Sequence, residues 1–128
     1  MWYTIEDIMP KKQQYSLDEL TNFVISFRDK RDWKQFHNPK DCAIALSLEA
    51  TEVLEQFRWK NKTETKEYLT KNKSSIADEL ADVLFWVLLM SHDLHIDLGK
   101  AFYQKRAADT IKYPVEKVKG KHKKYNEY

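Results

Sequence analysis

Glycine is almost missing from this chain, with two residues (Gly99, Gly120) in 128, and proline occurs three times (Pro10, Pro39, Pro114). The turn chemistry that a many-stranded sheet needs is therefore scarce, and helices are the expected elements. A single cysteine, Cys42, excludes an internal disulfide, and the N-terminus has no basic start, apolar stretch and small-residue cleavage site of a secretory signal. A reducing, cytoplasmic setting is expected. Long apolar runs are also absent: the longest, Val83 to Met90, is far short of the roughly 20 residues that cross a bilayer, so no membrane association is expected. Neither sign of charge dominates, with 22 basic against 20 acidic side chains and a net charge of +2, too balanced for a whole-molecule nucleic-acid binder. No stable nucleic-acid complex is expected.

What is present is helical periodicity. The length suits one domain spanning 1–128. Residues 1–15 show no clear period and read as an irregular lead-in, with Trp2 and Tyr3 as candidate anchors. Ser16-Leu17-Asp18-Glu19 has the form of a capping box, and Leu17, Leu20, Phe23, Val24 and Phe27 follow at helical spacing in a helix predicted to end near Trp33. Asn38-Pro39 starts a second helix, with Ala43, Leu46, Ala50, Val53, Leu54 and Phe57 on one arc, running to about Trp59. Lys60 to Lys73 is polar and reads as a connection with a short helix from Thr63 to Leu69. From Ser75 to Leu94 the pattern is apolar nearly all round past Asp82, the mark of a buried helix. Asp97 caps a last helix through about Thr110, closed by Tyr113-Pro114. The tail 115–128 carries Lys117, Lys119, Lys121, Lys123 and Lys124 and reads as a solvated basic end. The economical architecture is all-α, an antiparallel bundle of four principal helices, of a kind that often assembles into dimers or tetramers.

Two acidic pairs stand out. Glu49 and Glu52 are three apart on the second helix, and Glu79 and Asp82 are three apart on the buried one, so each pair shares a helix face. Glu49 sits beside the apolar arc with Glu52 about 60° further round, and Glu79, Asp82, Trp86 and Met90 line one face of the other helix. No Lys or Arg lies three or four residues after any of these acids. One such pair alone would be an ordinary surface feature. Two pairs on two apolar helices need compensation, and an all-oxygen set suits a hard cation such as Mg²⁺ or Mn²⁺ that also takes substrate phosphates as ligands. A ferritin-like di-iron site would ask for Glu-x-x-His on two helices, which neither pair provides. His92-x-x-His95 lies too far along to join them and reads as a helix-end pair.

Flat aromatic faces flank these acids: Trp33 and His37 in the junction before the second helix, Trp59 at its close, and Trp86 one turn past Asp82. Such faces can stack on a nucleobase, although a lone Trp is more often plain core. No Gly-rich phosphate loop exists, so phosphate charge would fall to cations and to Lys105, Arg106 and Lys112.

The ordered set Arg31-Asp32-Trp33-x-Gln35-Phe36-His37-x-Pro39, Glu49-x-x-Glu52, Phe57-x-Trp59, Glu79-x-x-Asp82-Val83-Leu84 and Lys112-Tyr113-Pro114-Val115-Glu116-Lys117 resembles the MazG-like all-alpha nucleoside triphosphate pyrophosphohydrolases, and is closest in pattern to their dCTP pyrophosphatase branch. The resemblance implies Mg²⁺ held by Glu49, Glu52, Glu79 and Asp82 as metal and catalytic residues, and hydrolysis between the α- and β-phosphates to a monophosphate and pyrophosphate, in the service of nucleotide-pool cleaning. It implies a base and sugar pocket from Trp33, Lys34, Gln35, Phe36, His37, Trp59 and Trp86. It also implies a homodimer or homotetramer whose neighbouring chains complete each site. Three positions depart from the pattern: Val24 replaces the pocket histidine of animal members, Trp86 replaces a tyrosine, and Asp109 stands where bacterial members usually carry Asn. In the expected chemistry one ion activates a water, another stabilises the leaving pyrophosphate, and Glu52 is the candidate to take the water's proton. Two other readings compete: a non-catalytic nucleotide- or metal-binding bundle acting as a sensor, and a nucleic-acid module using the lysine-rich tail.

Overall fold

A computed structural model describes residues 2–127, and every regular element in it is helical. In order these are α1 (Ile5–Ile8), α2 (Leu17–Asp29), α3 (Pro39–Glu55), α4 (Lys62–Asp93), α5 (Leu98–Lys112) and α6 (Val115–Val118), with single 3-10 turns at Lys34–Phe36 and Tyr125–Glu127. No helix among the described residues is long and apolar enough to cross a membrane. The all-α expectation and its four principal helices hold.

Local signals fix most boundaries. Asn38 caps α3 through the Asp41 N–H with Pro39 in its first turn, and Asp97 caps α5 through the Lys100 N–H. Ser16 caps α2 through the Glu19 N–H, but Glu19 does not return the bond; its carboxylate pairs instead with Lys12 at 2.8 Å. The full capping boxes are elsewhere, at Thr4 with Asp7 and at Asn61 with Glu64.

Several expectations are corrected. The lead-in is not wholly irregular, since Thr4 and Asp7 start the one-turn α1, and Trp2 anchors nothing, being 100% exposed. Helix α2 stops four residues before Trp33, because Asp32 takes a left-handed φ of 54° and the Trp33 N–H folds back onto the Arg28 carbonyl. Helix α3 stops before Trp59, which itself has φ 65°. The short helix and the buried helix are one, kinked at Asn72 (φ −124°, ψ 23°), whose side-chain amide donates to the Tyr68 carbonyl. The basic tail is partly ordered by α6 and by Tyr125, whose ring meets Tyr113 edge-on and lies under the Lys112 ammonium.

Helix α4 is the spine, packed along α3 and against α2. Val24, Cys42, Leu88 and Leu89 form the core, flanked by Leu20, Phe85, Trp86, Met90 and Leu98. Helix α5 buries none of its residues, and Ile44, Leu48, Leu80, Leu84, Phe102 and Ile111 are exposed. The helix expected to be buried is so only on one side.

Candidate metal centre

Helices α3 and α4 run side by side and carry the acidic pairs into register. Carboxylate oxygens of Glu49, Glu79 and Asp82 lie within 4.8 Å of one another, with Glu49 and Glu79 half-buried and Asp82 exposed. Glu52 is exposed and stands outside this triad, yet near enough for its charge to act on Glu79. Partial burial, and then the charges of Glu52, Asp82, Glu49 and Asp78, push the Glu79 carboxyl above its ordinary range. The strongest charges acting on Glu79 are thus all acidic, and the described ion pairs leave all four site acids out. Hard oxygen donors without a basic partner fit a divalent cation.

The aromatic residues divide between two elements. Phe27 on α2 meets Trp33 edge-on, with ring centres 5.8 Å apart, and meets Phe85 of α4 at 6.1 Å. Phe85 in turn meets Trp86, and Trp86 meets His37 at 5.3 Å. Trp33, His37 and Trp86 are therefore brought into one wall beside the acidic face of α4. Lys34 and His37 border a cavity of about 320 Å³ with Asn38, Met90, His92 and Asp93. Gln35 is spent on Asp32, its amide donating to the backbone carbonyl and the carboxylate, and Phe36 points to solvent.

Other sequence-predicted residues are not assembled with these in one chain. Trp59 is 86% exposed, stacked only under the Arg58 guanidinium. On α5, Asp109 holds Lys105 and Arg106 at 2.9 Å each, and these charges keep its carboxyl below the ordinary range; Lys112 sits over Tyr125. His92 and His95 end α4 as expected, His92 bonding Asp93.

Two residues escaped the sequence reading. Arg28, 1% exposed, donates to Asp93 at 2.6 Å and to Asp29 at 3.0 Å. The available signal was a charge at the i+4 position from Val24, on the apolar stripe of α2.

The chain is 32% identical over 114 residues to dCTP pyrophosphatase 1 of Mus musculus, covering 88% of this chain and 67% of that one. It is 28% identical over the same length to dCTP pyrophosphatase 1 of Homo sapiens, again covering 88% of this chain and 67% of that one. A crystal structure of a pyrophosphatase from Archaeoglobus fulgidus superposes with a TM-score of 0.73 at 32% identity, covering 83% of this chain and 99% of that one. The MazG-like family model matches residues 44–128, which include both acidic pairs. This chain belongs to the MazG-like family.

Proposed function

We propose that this nucleoside triphosphate pyrophosphatase acts on dCTP or a modified dCTP, releasing the monophosphate and pyrophosphate for nucleotide-pool cleaning, with Mg²⁺ as cofactor and Mn²⁺ able to replace it. That it is a pyrophosphatase follows from its family and from the activity for which its relatives are named. The observation that carries the metal-dependent part of this reading is the uncompensated carboxylate triad; the choice of dCTP is carried by the likeness to the dCTP pyrophosphatases. Glu49, Glu79 and Asp82 would hold the metal, with Glu52 as further ligand or as acceptor of the attacking water's proton. When bound, the metal supplies an activated water and neutralises charge on the leaving pyrophosphate. Trp33 through His37, with Trp86, orient the base and sugar, and Lys105 and Lys112 would face the phosphates, although in one chain Asp109 holds Lys105 and Lys112 lies over Tyr125.

The exposed Trp59 and the bare α5 point to completion by a second copy. A folded chain of 15.4 kDa is expected to expose about 7,200 Å², whereas this one exposes 11083 Å². The surplus includes the apolar side chains of α3, α4 and α5.

The test is pyrophosphate release from a panel of nucleotides with Mg²⁺. Preference for dCTP or a modified dCTP, abolished by chelation and restored by Mg²⁺, is expected. Binding without turnover would leave the sensor reading instead.

A further inference from the structure

Only seven described residues are buried, and one of them is an arginine. Arg28 joins α2 to α4 through Asp93, at the far end of the helix that carries Glu79 and Asp82. Arg28 is buried and Asp93 only partly so, and an ion pair so removed from water is a poor source of stability compared with apolar side chains of similar volume; what it adds is a fixed geometry. Leu and Val surfaces tolerate a slip of one helix along another, but a 2.6 Å charge-assisted bond does not.

The register matters here because the aromatic wall is split across that interface. Phe27, Trp33 and His37 belong to α2 and the turn after it, whereas Phe85 and Trp86 belong to α4. Asp93 lies about 16 Å along α4 from Asp82, with Trp86 between them. The turn starts from Arg28, whose main-chain carbonyl accepts the N–H groups of Arg31 at 3.1 Å and Trp33 at 3.2 Å, so any shift of position 28 against α4 moves Trp33 with it. His37 has a buried Nδ1 without a partner, meets the Trp86 ring edge-on at 5.3 Å, and shares a cavity wall with Asp93.

From this we infer that Arg28 and Asp93 are positioning residues for the base end of the nucleotide, setting the Trp33–His37 turn against Trp86 at a fixed distance from the metal ligands. The inference rests on the proposed function. Its test compares Asp93→Asn and the double variant Arg28→Met/Asp93→Leu with the native enzyme, at 10 °C, by kcat and KM for dCTP with Mg²⁺ and by thermal unfolding. The double variant is expected to keep native-like thermal stability, because apolar replacement of a pair whose arginine is buried removes both charges together. In both variants KM should rise about 10-fold or more while kcat stays within about 3-fold, the loss expected when a binding contact common to ground and transition state is misplaced. Return of KM to the native value along with stability in the double variant would overturn the inference, as would a fall in kcat at unchanged KM. Should native enzyme release no pyrophosphate from any nucleotide, the proposed function fails on its own. Calorimetric dCTP affinity in Ca²⁺ then replaces KM, and the same 10-fold weakening decides.

Discussion

Replacing Asp93 by alanine leaves the Arg28 guanidinium in the core with only Asp29, which is half exposed, as partner. Breaking a buried pair from one side costs about 3–5 kcal/mol; Asp29, at 3.0 Å, and the partial exposure of Asp93 favour the lower figure. Unfolding entropy near 2.1 cal/mol/K per residue gives about 0.27 kcal/mol/K for 128 residues. A loss of about 3 kcal/mol then lowers Tm by about 11 °C. The assay is thermal unfolding by circular dichroism at one protein concentration, since assembly would make Tm depend on it. The pH dependence adds a second check. Partial burial pushes the Asp93 carboxyl up, but hydrogen bonds from Arg28 and His92, with their charges, hold it below 3.8 in the folded chain. Its stabilisation is therefore complete above that value and is lost as pH falls through the lower folded pKa. Asp93→Ala should show a correspondingly shallower acid loss. A Tm within about 3 °C of native, or an acid limb of unchanged steepness, would refute the claim that this pair is a structural tie.

Glu79→Gln and Asp82→Asn are each expected to lower pyrophosphate release at least about 100-fold, from the several kcal/mol a catalytic metal supplies; a fall of less than fivefold would detach that residue from the metal. Because the Glu79 pKa is raised, the metal-free chain should lose stability as pH rises above 4.5 through it, and Glu79→Gln in EDTA should be free of that loss while also forfeiting any Tm gain on adding Mg²⁺. His37 has the opposite sign: burial and then the Arg28 charge lower its pKa below 6.5, so stability should rise with pH from its folded pKa to about 6.5, read by thermal unfolding and flattened in His37→Asn. Light scattering should give a mass of at least twice 15.4 kDa, reduced toward one chain by Phe102→Glu with Ile111→Glu; a native monomer would oppose completion by a second copy.

The residues that sequence made legible are those whose role depends on spacing along one helix. Glu49 with Glu52, and Glu79 with Asp82, are set on shared faces by the helical period alone, and caps at Asn38 and Asp97 announce their own positions. Side chains whose role depends on a second element were harder. Arg28 reads as one more surface charge until Asp93, 65 residues later, is seen to meet it. Helix ends fared worst, because left-handed Asp32 and Trp59 stop α2 and α3 where the apolar pattern would have carried them on. Asn72 works the other way: a polar stretch that read as a connection is only a kink, since Asn72 alone leaves helical geometry and its side-chain amide donates to the Tyr68 carbonyl.

Apolar patterning identifies a face that avoids water, not what covers it. The same period that makes Leu88 and Leu89 core leaves Leu80 and Leu84 on the same helix exposed, because α2 and α3 cover only part of its circumference. The exposed stretch of α4 is the one beside Glu79 and Asp82, so whatever covers Leu80 and Leu84 stands next to the carboxylates. A partner there would bring its own side chains to the triphosphate. Trp59 reaches into solvent beyond the end of α3 in a backbone conformation that costs a tryptophan energy, and in one chain its ring gains only the Arg58 guanidinium. Its cost is repaid only if a neighbouring copy receives the ring, and Trp59→Ala should therefore weaken both nucleotide binding and self-association.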